Sequence, residues 1–172
     1  RVSLPVGLGV DGAFITHSQT LIKIPDQETV NEFLPPYDLG DRLLHPDNPI
    51  SIAPQANEDW VMEIRKQTDA AARRVKDVIR EAHADFRRLF GRGGDNPFFE
   101  EYMTEDAEYV LFGMGSLGLP AKVMVRRLRE RGEKVGFVRL KWFRPFPAEE
   151  LAESLGRFRA VGVIDRDYSY GS

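Results

Sequence analysis

Four short stretches hold residues whose types and spacing could do chemistry. Gly113-Met114-Gly115-Ser116-Leu117-Gly118 matches G-x-G-x-x-G between an apolar run and a helical pattern. Glycines so placed let backbone N–H groups at a helix start approach a phosphate closely. A dinucleotide site also wants an acidic residue about 20 positions on, for a ribose hydroxyl. The corresponding stretch here, Leu140-Lys141-Trp142-Phe143-Arg144, has none, although Arg139, Lys141 or Arg144 could meet a 2′-phosphate. A stand-alone NADP- or coenzyme A-binding turn therefore stays open beside a plain strand-to-helix turn. In the second stretch, Lys141–Pro147, two cations flank three aromatic residues. Arg144 there can stack on a ring or grip a phosphate or carboxylate, or the stretch is a rigid connection that packs on a neighbour. The third, Asp165–Gly171, sets Arg166 among acids and hydroxyls. It could face a cofactor or another subunit, or form a surface loop with a local Arg–Asp pair. In the fourth, His17 lies between Thr16 and Ser18. That invites acid–base work, yet no Ser/His/Asp set follows from sequence order, and a structural histidine is the alternative.

The elements that must position these residues are legible in the periodicity. Residues 2–10 are nearly all apolar and end in Asp11-Gly12, a pattern of a buried parallel strand and turn, with Pro5 against it. Asp26 can cap a short helix over 27–34, stopped by Pro35-Pro36. Residues 35–56 carry five prolines and little periodicity, and read as an irregular crossing segment or a disordered linker. Over 58–90, Ile64, Ala71, Val75, Val78, Ala82, Phe86 and Leu89 recur at helical spacing along one face of a long amphipathic helix ended by Gly91. Residues 95–104 read as a connection. Then come a strand at 108–112, a helix at 119–131, a strand at 135–140, a helix at 147–155 and a strand at 160–164. Strand and helix alternating with short connections argue a parallel sheet covered on its faces.

Composition excludes several classes. The chain has 172 residues, 42% hydrophobic and 30% charged, with a formal net charge of -3, an ordinary globular balance. It suggests no nucleic-acid partner, and no run of roughly 18 to 20 apolar residues suggests a membrane span. With no cysteine, the chain itself offers no disulfide, no cysteine nucleophile and no thiolate-bound iron–sulfur cluster. The three histidines lack metal-ligand spacing, so no metal site is assigned, and no catalytic residue is assigned on this chain. Without targeting signals, a cytoplasmic location is expected. The sequence opens directly on an apolar run without an initiator Met and stops just after another. A segment of a longer protein is expected.

Taken in order, certain phrases resemble one family. They are Leu4-Pro5 leading to Asp11-Gly12 and Thr16-His17, then Phe33-Leu34-Pro35-Pro36-Tyr37 and the long charged helix. Gly113-Met114-Gly115-Ser116, Phe143-Arg144-Pro145-Phe146-Pro147 and Asp165-Arg166-Asp167 complete the set. The set is similar to the alpha-type subunit, or corresponding fused region, of pyruvate:ferredoxin oxidoreductases and their 2-oxoacid:ferredoxin oxidoreductase relatives. The resemblance implies an α/β chain in three parts. Residues 1–56 would end a thiamine pyrimidine-binding-type domain, 57–94 would be a connecting helix, and 95–172 would begin a parallel-sheet domain similar to the C-terminal domain of transketolase. It implies thiamine diphosphate-dependent oxidative decarboxylation of a 2-oxoacid, or the reverse synthase reaction. Electrons would pass through iron–sulfur clusters of the 4Fe-4S type to ferredoxin, and coenzyme A would take the acyl group. Thiamine diphosphate, magnesium and the clusters would be bound mainly or wholly outside this segment, which would serve as scaffold and interface within an oligomer. If residues here touch a ligand, Gly115 and Ser116, then Arg144 and Arg166, are the candidates.

Overall fold

The computed structural model describes residues 2, 4–13, 15–34 and 36–166, with the side chain of Asp41 set aside. The chain forms two compact units, one of Arg1–Leu4 with Lys23–Arg92 and one that joins Pro5–Ile22 to the residues from Gly93 onward.

The first unit is helical. Asp26 caps α1, Gln27–Phe33: its carboxylate accepts the Thr29 backbone N–H at 2.8 Å and the Thr29 hydroxyl as well. Those bonds hold the Asp26 carboxyl below its usual pKa, with the backbone bond the largest cause. After α1 the chain is irregular except for a single 3-10 turn at Gly40–Arg42 and a local bridge between His45 and Asn48. The long helix α2 spans Val61–Phe90 and ends at Gly91, which takes the left-handed conformation with φ 62° and donates to the Arg87 carbonyl. Toward the far end of α2, Phe33 of α1 meets Phe86 and Phe90 edge-on, both at 5.6 Å, and Arg88 reaches Glu32 at 3.1 Å.

The second unit is a four-stranded sheet with two covering helices. Its elements are β1 Phe99–Tyr102, β2 Tyr109–Met114, α3 Gly118–Arg129, β3 Val135–Leu140, α4 Ala148–Leu155 and β4 Ala160–Val163. The spatial order is β1-β3-β2-β4, with β2, β3 and β4 parallel and β1 antiparallel to β3. The wholly parallel sheet expected from the alternation is corrected by β1, which lies in the stretch read as a connection. Phe-Glu-Glu-Tyr is too short and too charged to announce a strand. Its pairing with β3, Phe99 against Leu140 through Tyr102 against Phe137, makes it one.

Among the described residues of 2–10 the expected strand does not form. Residues 4–10 pair with no strand, and Val6, Leu8 and Val10 are exposed. Apolar content alone does not make a strand, because the backbone needs a neighbour to take its hydrogen bonds. By contrast Val125, Phe137 and Val138 are fully buried, and Ala121 and Val125 of α3 pack on Val135 and Phe137 of β3.

Adjacent residues of β1 place the two helices. Glu100 bonds Lys122 on α3, while Glu101 bonds Ser154 on α4. Successive strand side chains face opposite sides, so α3 and α4 cover opposite faces of the sheet.

Candidate functional site

The strand order sets where a site belongs. From β2 the chain passes through α3 to β3 on one side, then returns through α4 to β4 on the other side of β2. The winding thus reverses where β2 and β4 lie side by side. In open α/β sheets that switch point is the usual ligand crevice.

The structure brings Ser116 and Arg166 together there. Ser116 follows β2 in a single 3-10 turn, Gly115–Leu117, and Gly115 enters the turn at φ +63°, a conformation that favours glycine. Arg166 follows β4. Both engage the Asp11 carboxylate: the Ser116 hydroxyl donates to Oδ2 at 2.7 Å, and Arg166 Nη2 donates to the same oxygen at 2.7 Å. Arg166 Nη2 also lies 3.4 Å from Ser116 Oγ. The Asp11 side chain is 15% exposed and that of Arg166 58%. An anion therefore does sit at the switch point, and the chain supplies it from its own Pro5–Ile22 segment.

The flanking glycines serve the same packing. A Cβ on Gly113 would stand 3.3 Å from the Ile164 carbonyl oxygen, and one on Gly118 would stand 2.7 Å from Cδ of Arg139. The room these two glycines leave is taken by the chain's own backbone and by an arginine.

The other sequence candidates stay apart from this cluster. Arg144 stacks over the Phe143 ring at 4.3 Å and bonds the Phe143 carbonyl. His17 lies in an exposed turn, its Nδ1 3.1 Å from the Thr16 hydroxyl and 3.3 Å from the Gly12 carbonyl oxygen, as a structural histidine does. The local Arg–Asp pair expected in the third stretch gives way to a long-range pair with Asp11, while residues 167–171 lie outside the described residues. Asp11 itself was legible only as a turn former before Gly12.

Two further polar clusters tie the sheet unit together. Arg129, 16% exposed, donates to the carbonyls of Val135 at 2.8 Å and Met103 at 2.7 Å and pairs with Asp106 at 2.7 Å. Glu101 accepts hydrogen bonds from Ser154, Arg157 and Thr104. Burial pushes the Glu101 carboxyl upward, but the bonds from Ser154 and Arg157 prevail and hold it below the usual range. Among the described residues no group of three or more His, Asp or Glu side chains converges as metal ligands would, and no helix is long and apolar enough to cross a membrane.

Residues 1–84 match the family described as pyruvate flavodoxin/ferredoxin oxidoreductase, thiamine diphosphate-binding. Residues 107–172 match pyruvate:ferredoxin oxidoreductase core domain II. Pyruvate synthase subunit PorA of Methanocaldococcus jannaschii is 38% identical over 170 residues, 99% of this chain and 44% of that protein. Ketoisovalerate oxidoreductase subunit VorA of Pyrococcus abyssi is 37% identical, over 94% of this chain and 41% of its own. The alpha subunit of NADH-dependent phenylglyoxylate dehydrogenase of Aromatoleum evansii is 33% identical, over 98% and 42%. The chain thus spans less than half the length of these curated relatives.

Proposed function

Because the chain belongs to the alpha-type subunits of pyruvate and other 2-oxoacid:ferredoxin oxidoreductases, we propose that it is scaffold and subunit interface in such an enzyme. The whole assembly, on this reading, oxidatively decarboxylates a 2-oxoacid of the pyruvate type to an acyl-coenzyme A, or runs the reverse synthesis. It works as a cytoplasmic oligomer with ferredoxin as electron carrier. Residues 1–56 belong to a thiamine pyrimidine-binding-type domain, 57–94 are the connecting helix, and 95–172 belong to a domain similar to the transketolase C-terminal domain.

The described residues offer no ligand set for a magnesium ion or an iron–sulfur cluster. Carboxylates do not converge to hold a magnesium ion among the described residues, no cysteine is available for a cluster, and the switch-point crevice is filled by Asp11. On this reading those groups are bound mainly or wholly outside this segment, although residues 1–84 match a family described as thiamine diphosphate-binding.

The observation that carries the scaffold role is exposed apolar surface. Leu21, Ile22, Ile24, Leu34, Tyr37, Leu44, Ile52, Trp60 and Met62 all stand in the open. Scattered exposed apolar residues are ordinary, but this density along residues 21–62 suits surface covered by other parts of the assembly, in the same polypeptide or another.

The test is to isolate the native assembly that contains this chain and assay coenzyme A-dependent reduction of ferredoxin with pyruvate, ketoisovalerate and phenylglyoxylate. Turnover by the assembly and none by the 172-residue chain alone is the expected result. Turnover by the isolated chain would overturn the scaffold role. Isolation without thiamine-binding and cysteine-rich partners would overturn the assembly.

A further inference from the structure

Arg139 occupies an unusual place. Along β3, Val135 and Phe137 face α3 and are core, and the next residue on that face is this arginine. Its stem runs over Gly118, where a Cβ would stand 2.7 Å from Cδ and 2.8 Å from Nε. Gly118 opens α3, and its lack of a side chain makes room there for the arginine.

Having been given room, the guanidinium makes no hydrogen bond to the described residues. Its Nε is shut from solvent without a partner. Its Nη1 approaches Glu100 only to 3.9 Å, an ion pair outside hydrogen-bond distance. Glu100 is already engaged through its other oxygen by Lys122 Nζ at 2.5 Å. Two cations thus share one carboxylate, with Lys122 22% and Arg139 39% exposed. Lys141 stands near on the same strand end, its ammonium bonded to the carbonyls of Gly93 and Asn96. Burial lowers the Lys141 pKa, and the charge of Arg139 pushes the same way. A planar fork of donors without a bonded acceptor, beside a second cation, suits an oxyanion.

We propose that Arg139 and Lys122 form a binding site for a small oxyanion, a phosphate or carboxylate group, with Glu100 as the internal competitor that holds the two cations when the ligand is away. The site is separate from the Asp11 cluster, and it does not depend on the scaffold reading.

The experiment titrates the full chain in its assembly with inorganic phosphate and, separately, acetate. Calorimetry is run at fixed ionic strength against a chloride control. The wild-type protein binds at least one of the two oxyanions in excess of chloride. Arg139→Gln and Lys122→Gln each weaken that binding roughly tenfold or more. Glu100→Gln tightens it, since the competing carboxylate is gone, and a purely structural ion pair predicts no such gain. Gly118→Ala keeps the helix while its new methyl displaces Arg139, so binding falls even if Arg139→Gln fails to fold. Tighter binding of phosphate assigns the site to phosphate-bearing molecules, and tighter binding of acetate to carboxylate-bearing ones. A wild-type titration indistinguishable from chloride, or unchanged binding in Gly118→Ala, would overturn the proposal.

Discussion

The sheet unit and the helical unit meet the same physical demands in opposite ways. From Gly93 to Arg166 the chain closes on itself. Phe98, Val110, Val125, Phe137 and Val138 are fully buried, and Arg129 and Glu101 satisfy loop carbonyls and helix hydroxyls from within. From Lys23 to Arg92 the chain has one small aromatic contact, Phe33 with Phe86 and Phe90, and a single buried residue on α2, Ile79. Residues 61–69 of α2 are exposed all round. A helix gains most of its stability by packing an apolar face, so a helix left open in this way is suited to receive something else. The difference teaches where apolar surface goes in each unit: the first encloses it in its own core, the second leaves much of it exposed.

The sharpest way to break the comparison is to open the sheet core. Phe137→Ala is expected to cost the sheet unit about 3 to 5 kcal/mol. Denaturant melts and hydrogen exchange at β2 and β3 measure it, and a loss under about 1 kcal/mol would mean the core is not self-sufficient. Next in size is Arg129→Ala, which strips the carbonyls of Val135 and Met103 of a charged donor. A loss of about 2 to 3 kcal/mol is expected, with Lys unable to restore it because an ammonium cannot fork. Smaller is Asp11→Ala, at about 1 kcal/mol since Arg166 is largely solvated. Faster exchange in residues 5–22 would accompany it.

Acid sharpens the same contrast. The folded Glu101 carboxyl lies below its usual value of 4.5, so its contribution is present above that pH and is lost as pH falls through the lower folded value. Glu101→Gln is expected to flatten that part of the acid-unfolding curve. Smallest in the chain's own stability are Leu21→Gln, Trp60→Ser and Met62→Gln, each within about 0.5 kcal/mol. These same variants are expected to reduce recovery of partner subunits on isolation. A large fall in stability without loss of partners would invert the comparison.

Much of the fold could be read from residue order because it is local. The three-and-four spacing from Ile64 to Leu89 announces α2, Asp26 announces α1, and Val135–Leu140 reads as the strand it is. Reading fails where the deciding partner is distant. Residues 4–10 look like a strand but pair with none, while Phe99–Tyr102 does not look like one and is made so by β3. Ser116 and Arg166 could be picked for their places after strands, yet Arg144 was picked on the same grounds and only stacks on its neighbour.

Residue order alone determined the family, the periodic elements and the want of thiolate chemistry, since these follow from residue types and near-neighbour spacing. Tertiary structure alone decided that Asp11 fills the crevice between Ser116, 105 positions away, and Arg166, 155 positions away. It alone decided that Gly118 makes way for Arg139. Hydrogen bonds and close packing act over a few ångströms of space, and such separations in sequence carry no trace of them.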